Sequence, residues 1–502
     1  MKILDKNDRI IMNWKKIINC ETVDTDLIPD VPFNVMRTGI IEECKTGKRP
    51  LLFFGIPENN KLKIAAVLAD DKNKNLLTAF SSLSKNEKYE SITSEIEQFG
   101  MFERELFEDF GEEFGILPLK HKWLKPVRKN MDKYEFLKMD SEFIHEVAVG
   151  PVHAGIIEPG HFRFLCDGEN VNHLEIQLGY QNRGIEKLFL KNNFLNNSPL
   201  AESIAGDSAI AHNTAYLNAV ESLSGCSLSR SALIVRAIAL ELERIAMHLS
   251  GLGAICNDVA YLTGSSVFGA RRTLIINTSL AICGSRFGRG WLRPGGSAFG
   301  ISEPKKREMI KTLNVVRFDV EQMAEVMFDS ASFHSRLDQT GVIVKTVAEN
   351  LNLVGMSARA SGLPRDIRND HPFGFYGERP VQVVILESGD VLARTMIRYL
   401  ETIKSIEYIK EIADNNDLEI GLMKCLNQVR PRKFVVSISE GWRGEIVHCA
   451  VTGNNSEIVK YKIKDPSFNN WLGLAIAVRK NTISDFPLCN KSFDLSYCGF
   501  DL

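Results

Sequence analysis

The 502-residue chain lacks several things, and each absence narrows its class. None of its ten cysteines, at 20, 44, 166, 226, 256, 283, 425, 449, 489 and 498, forms a CxxC pair. Their irregular spacing speaks against a cysteine-only metal site and fits reduced cysteines buried as small hydrophobes in a cytosolic protein. Neither charge dominates: 61 Lys and Arg face 63 Asp and Glu, a net charge of −2. No basic face for nucleic acid is therefore expected. No like-charge block suggests a solvating tail, and no Pro/Gly/Ser tract suggests a long linker. Long apolar runs are missing as well. ALIVRAIALEL and LGLAIAV are too short or too interrupted by charge to span a bilayer. The start, MKILDKNDRIIMNWKK, has no apolar core followed by a small-residue cleavage site, so no signal peptide is expected. The expectation is a chain soluble by itself, with any membrane link made through partners.

What is present reads as an ordinary globular protein, 44% hydrophobic and 25% charged, too long for one core. The expected fold class is α+β: a small α+β unit over 1–130, a connector over 131–145, and a mainly helical unit over 146–502 that opens with a β-hairpin. RPLLFFGI, KLKIAAVLA and NLLTAFSSL are apolar runs separated by turn residues, as in a meander. FERELFEDFGEEFGILPL predicts a helix and then a loop, and HKWLKPVRKNMDKYEF, basic and Pro-containing, a connector. VAVGPVHAGIIEPGHFRFLCDGENV predicts two strands joined by a Gly/Pro loop. SRSALIVRAIALELERIAMHLSGLG predicts a buried bundle helix with a Ser N-cap and Gly after it. PKKREMIKTLNVVRFDVEQMAEVMFDSASFHSRL predicts one long amphipathic helical stretch. KFVVSISE and EIVHCAVTG predict strands around the Gly-rich turn Glu440–Gly444.

Several motifs then match one family in order. FERELFEDFG with HKWLKPVR resembles the end of the small complex I subunit that packs beside the catalytic subunit, a domain fused to the large subunit in formate hydrogenlyase-type hydrogenases. GPVHAGIIEPGHFRF, CDGENV, GYQNRGIEKLF, AHNTAYLNAVE, ELERIAMHL, RASGLPRDIRNDHPF and DPSFNNW follow in the order of the large subunit of membrane-bound (group 4) nickel–iron hydrogenases and complex I. The resemblance runs from about residue 100 to 502.

In that family two CxxC pairs hold nickel and iron, since soft thiolates suit these metals. Alignment on His212 and Tyr216 puts the first pair on Ala205 and Ser208, and the C-terminal SFDLSYCGFDL puts the second on Ser496 and Gly499. Cys498 is one residue off, and Cys489 lies nine residues earlier. A serine hydroxyl is no substitute for a thiolate. The sequence stops at Leu502, so no C-terminal extension of the kind hydrogenase maturation removes is expected either. The complex I subunit instead uses a hairpin-loop histidine and a tyrosine for a quinone. Here His153 and His161 are the candidates, the expected histidine falls near Pro159, and the tyrosine position is Gly206.

The resemblance further implies that Glu186, in the RGxE signature with Arg183, relays protons; the alternative is a buried Arg183–Glu186 pair that locks the hairpin to the bundle. Arg359, Arg365, Asp366, Asp370 and His371 form a dense charged segment, stopped by Pro364 and Pro372, that lines the cavity or an inter-subunit face, or is a solvated run. Glu243, Arg244 and His248 lie on an apolar helix, where buried charges need partners.

The function implied is a subunit of a complex I-like, energy-converting hydrogenase-related oxidoreductase (NAD-linked by family), active only within its complex. Electrons would come from a small iron–sulfur subunit carrying the cluster, with a ferredoxin-like subunit and antiporter-like membrane subunits as further partners and no nucleic acid. No cofactor is expected on the chain itself, with a quinone as the implied acceptor. The expected place is peripheral, on the cytoplasmic face of the inner membrane. A hydrogenase with unconventional ligands and a non-catalytic assembly subunit are the alternatives.

Overall fold

Short strands β1 (Lys15–Ile17) and β2 (Thr22–Asp24) lead into helix α1 (Phe33–Lys45) and the strands β3 (Arg49–Glu58), β4 (Lys61–Asp70) and β5 (Asn75–Ser84). This computed structural model describes residues 3–4, 10–58, 60–85, 87–114, 116, 131, 135–153, 157–191, 194–414, 416–419 and 428–502. The chain is α+β. The three apolar runs form the antiparallel meander their turns imply, in the order β1-β5-β4-β3. Their strands are buried along most of their length rather than in alternation. Helix α2 (Gly100–Phe114) is the predicted helix, and its Phe110 ring lies where a side chain at Gly55 of β3 would be. The HKWLKPVR motif, and with it the start of the expected connector, falls outside the described residues.

Beyond it, β6 (Ile144–Val149) and β7 (His161–Asp167) are the two expected strands, and β8 (Asn170–Gln177) adds a third in the order β8-β7-β6. The hairpin is thus a three-stranded sheet. Its signal was Asp167-Gly168, a tight-turn dipeptide, with Gly168 at φ +57°.

The helical body follows: α3 (Ile185–Lys191), α4 (Ala209–Ser224), α5 (Arg230–Asp258), α6 (Leu262–Cys283), α7 (Glu303–Asp329) and α8 (Val391–Ala413). Ser229 caps α5 by accepting a hydrogen bond from the Ala232 amide, which satisfies an orphan first-turn donor. The helix does not stop at its glycines. A Cβ on Gly251 would lie 2.8 Å from the Arg398 guanidinium of α8, so this glycine allows close approach of that side chain. The long stretch after Pro304 is not one helix. Ser330 breaks it and caps a second helix, Ala331–Leu337, accepting from the Phe333 amide. No helix among the described residues is long and apolar enough to cross a membrane.

At the C-terminal end β9 (Lys433–Glu440), β10 (Glu445–Thr452) and β11 (Ile458–Lys464) pair antiparallel, and β2 from the chain start adds to the edge, giving β11-β10-β9-β2. Three short helices close the chain: α9 (Pro466–Ala477), α10 (Phe486–Phe493) and α11 (Tyr497–Phe500). The N-terminal meander meets this sheet through side chains too. Phe80 packs edge-on against Phe434 at 5.7 Å, and Arg49 pairs with Glu445 at 2.6 Å. Free cysteines among the described residues are mostly buried, but Cys226 is disulfide-bonded, which departs from the expectation of reduced thiols throughout.

Gly355, at φ +64°, shows how tightly the β9–β10 turn is held, since a Cβ there would sit 2.0 Å from the Arg443 carbonyl oxygen. Gly355→Ala should destabilise the protein by more than about 1 kcal/mol, seen as a lowered thermal midpoint. Gly269, inside α6 with open space around its Cβ position, is the control: Gly269→Ala should raise stability by roughly 0.5–1 kcal/mol.

Candidate functional site

The β9–β10 turn builds one wall of the site. Gly441 and Gly444 close it with reciprocal backbone hydrogen bonds of 2.8 and 3.1 Å, which turns Trp442 and Arg443 toward the segment before α4. The Arg443 guanidinium donates to both carboxylate oxygens of Asp207, at 2.7 and 2.5 Å. It reaches the Ser208 hydroxyl at 3.4 Å and donates to the Asp494 carbonyl. The Trp442 indole donates to the Asp207 carbonyl at 2.9 Å and lies under the guanidinium, 4.0 Å from its ring centroid. Burial opposes the charge of Arg443, but Asp207 outweighs it and holds the arginine's pKa above its usual value. Ala205 and Ser208, the first pair of positions the resemblance implied, are both buried, and Ser208 lies against this salt bridge.

The second pair is closed off differently. Ser496 caps α11, its hydroxyl accepting from the Gly499 amide at 2.9 Å. A Cβ on Gly499 would lie 2.7 Å from Cγ and 2.8 Å from Oδ2 of Asp465. The carboxylate thus occupies the space that a cysteine side chain would need. Cys498 does not compensate: burial pushes its thiol up to about 12, which keeps it protonated and a poor ligand. Cys489 is likewise pushed up to about 11 by burial. No group of three or more His, Cys, Asp or Glu side chains among the described residues has the arrangement to hold a metal ion. The donor set does not fit a nickel–iron centre.

Asp465 ends a buried hydrogen-bonded chain. His212 Nε2 lies 3.0 Å from Asp465 Oδ2, His212 Nδ1 lies 3.1 Å from His448 Nε2, and His448 Nδ1 lies 2.6 Å from the Tyr461 hydroxyl. Four elements supply it: β11, β10, α4 and the N-cap of α9, where Asp465 also accepts from the Ser467 amide. One placement of protons satisfies every link. Tyr461 donates to His448, His448 to His212 and His212 to Asp465, so all donors point toward the lost ligand position. Burial and the neighbouring His212 hold His448 neutral, well below its usual pKa. Burial works against the charge of Asp465, yet its bond to His212 leaves it below the usual carboxylate range. Sequence reasoning used His212 only as an alignment anchor and missed His448, Tyr461, Asp465, Asp207 and Arg443. The available signals were the DPSFNNW motif, which starts at Asp465, and the histidine within an otherwise apolar β10.

The sequence-predicted residues scatter around this centre. Glu186 accepts from the Lys462 ammonium at 2.9 Å and the Ile463 amide at 3.0 Å. Its helix α3 stacks Phe189 on Tyr461 at 4.3 Å. Arg183 does not pair with Glu186; it donates to the carbonyls of Ser203 and Ile204, at 2.7 and 2.8 Å, just before Ala205. His153 lies beside Tyr497, with ring centroids 6.3 Å apart, next to the second ligand segment, and burial lowers its pKa. His161 instead packs against Phe136.

The charged segment 359–371 is not a solvated run: Arg359, Asp366, Arg368 and His371 are buried. Arg359 bonds Glu401 and Glu440, both at 2.9 Å. Asp366 pairs with Arg368 at 2.7 Å, and His371 meets Asp71 of the N-terminal unit at 3.0 Å. Arg365 donates to the Leu353 carbonyl at 2.7 Å, and burial lowers it to about 10. Burial raises Asp370 to about 6. Arg244 donates to the carbonyls of Glu440 and Gly441, and His248 bonds Glu401 at 2.8 Å. These partners are interior groups joining the layers of the protein.

Comparison with known proteins follows this geometry. A family described as the 49 kDa subunit of respiratory-chain NADH dehydrogenase matches residues 258–425. Hydrogenase-4 component G of Escherichia coli (strain K12) is 30% identical over 371 residues, 74% of this chain and 64% of that protein. Formate hydrogenlyase subunit 5 of the same organism is 30% identical over 375 residues, 74% and 65% of the two chains. The chain thus spans less than two thirds of these two relatives. NADH-quinone oxidoreductase subunit 4 of Thermus thermophilus is 28% identical over 372 residues, covering 69% of this chain and 91% of that one. Among solved structures, a chain of the membrane-bound sulfane sulfur reductase, an archaeal respiratory membrane complex, superposes with a TM-score of 0.67 at 22% identity, over 73% of this chain and all of that one. That likeness speaks for the fold.

Glu243 supplies a pH-dependent check on the site. It accepts from the Ile210 and Ala211 amides at 2.7 and 3.1 Å, capping α4 beside Asp207, and burial raises it to about 8. A carboxyl whose folded pKa lies above its unfolded value binds protons more tightly when folded, so its contribution to stability falls as pH rises from about 4.5 to 8. Glu243→Gln should remove that slope: in thermal melts between pH 5 and 8 the variant should lose less stability than the parent.

Proposed function

We propose that this chain, similar to large subunits of energy-converting hydrogenases and complex I, is the nickel-free subunit of a complex I-like membrane oxidoreductase. Electrons arrive from the cluster of a partner iron–sulfur subunit and leave to an acceptor at the former metal position. A quinone is the acceptor the family implies, and His153 beside Tyr497 is the donor that supports it. Ferredoxin-like and antiporter-like subunits complete the assembly at the cytoplasmic face, where the redox step is coupled to ion movement.

The observation that carries the reading is the placement of Asp465 at the Gly499 position, at the end of the chain Tyr461–His448–His212. Reducing an acceptor requires protons as well as electrons. Negative charge arriving in the cavity raises the proton affinity of the nearby Asp465 carboxylate, which draws the His212 Nε2 proton onto it. Each upstream proton then shifts by one link, so one proton reaches the cavity end. Tyr461 is reprotonated from solvent along α3, whose Phe189 stacks on its ring and whose Glu186 side chain is 18% exposed.

The intact complex provides the test. Asp465→Asn and His448→Gln should each slow electron transfer from the reduced cluster to the acceptor by roughly 10²-fold or more, while the rate at which the cluster itself is reduced stays the same. Unchanged turnover in both variants would leave the network merely structural and sink the redox role. Stoichiometric nickel in the purified complex would overturn the metal-free reading on separate grounds.

A further inference from the structure

A cavity opens at Gly206, beside Ala205 and Ser208, with a volume of about 480 Å³. Its charge is unbalanced. Two carboxylates border it, and both are already engaged. Asp207 is held on both oxygens by Arg443. Asp494 accepts from Lys491 at 2.8 Å, with Arg398 at 3.9 Å, and these cations, against the effect of burial, hold its carboxyl down at about 2.

The remaining charges bordering it are the guanidiniums of Arg272 and Arg289. Neither makes an ion pair or a hydrogen bond through its guanidinium with another described residue, and Nε of Arg272 is buried without a partner. Burial, and the nearby charge of Arg286, disfavour the charged form of Arg272 and outweigh the opposing pull of Asp207. Arg272 is half-buried and Arg289 exposed, and gathering their like charges in one concavity costs free energy that a bound anion offsets. Fixed guanidinium forks match the geometry of carboxylates and oxyanions.

Gly206 keeps the space open. A Cβ there would meet only Arg289 Nη2, at 3.5 Å, an ordinary contact. Its φ is not in the left-handed region, so the backbone does not demand glycine. Phe287 and Trp442 form apolar walls, which keep the anion's charge at the arginine end.

We propose that this cavity is a binding site for a small anion of the carboxylate or oxyanion class, held by Arg272 and Arg289 above Gly206. The proposal rests on the reading that electrons leave the chain at this end. It adds that the site is set for negative charge next to the acceptor's position.

The test is binding, measured apart from turnover, so its failure is distinguishable from failure of the proposed redox role. In the intact complex, phosphate, sulfate and acetate would be titrated against chloride at constant ionic strength while the thermal midpoint is followed. A saturable upward shift is expected, lost in Arg272→Gln and in Arg289→Gln. Gly206→Phe should fold normally, fill the cavity and abolish the shift. Arg379→Gln, away from the cavity, should keep it. A shift equal to that with chloride, or one that survives in all three cavity variants, overturns the site. So does a shift seen with the separated chain but absent from the complex, because side chains of a partner would then supply the anion.

Discussion

One short turn carries the constraint on which the rest of the structure depends. Between β9 and β10, Glu440, Arg443 and Glu445 point into three different buried networks within six residues. Glu440 joins Arg359 and the carbonyl-bound Arg244 in the helical body. Arg443 holds Asp207 just before α4. Glu445 pairs with Arg49 of the N-terminal meander and Lys464 of β11. Ions removed from water must be met by partners with good geometry. Once this hairpin is formed, the positions of the meander, the helical body and the α4 N-terminus are therefore tied to one another. The close approach of Gly355 to Gly444 leaves little slack in that tie.

The same electrostatic demand shapes the interior around Ser208 and Gly499. A carboxylate stands at Gly499, a guanidinium–carboxylate pair stands against Ser208, and the histidine pair connects α4 to Asp465. Each charged group has a partner, so the interior remains polar without a metal. A chain that had simply lost its role could fill such a space with apolar side chains at no greater cost. The directional hydrogen bonds from Tyr461 to Asp465 are what the proposed proton role rests on.

Local signals in the sequence were sufficient for much of the fold. The turns at Pro57–Asn60 and Asp70–Asn73 delimit the meander, Ser229 starts α5, and KFVVSISE and EIVHCAVTG form the expected pair around their Gly-rich turn. These features depend on nearest neighbours along the chain. Where the reading fell short, a distant contact decided. Gly251 looked like a helix end but admits Arg398. The 359–371 segment looked solvated or cavity-lining but is neutralised by Glu401, Glu440 and Asp71, groups drawn from three other parts of the chain.

By itself the sequence determined the α+β class and the absence of a thiolate at Ala205, Ser208, Ser496 and Gly499, because donor chemistry is written residue by residue. Only the tertiary structure decided what surrounds those positions. The atoms that fill the site come from α4, β10, β11, the start of α9 and the β9–β10 turn, separated by up to 250 residues or more along the chain. Their meeting depends on packing and on the pairing of buried charge, and no local pattern encodes it.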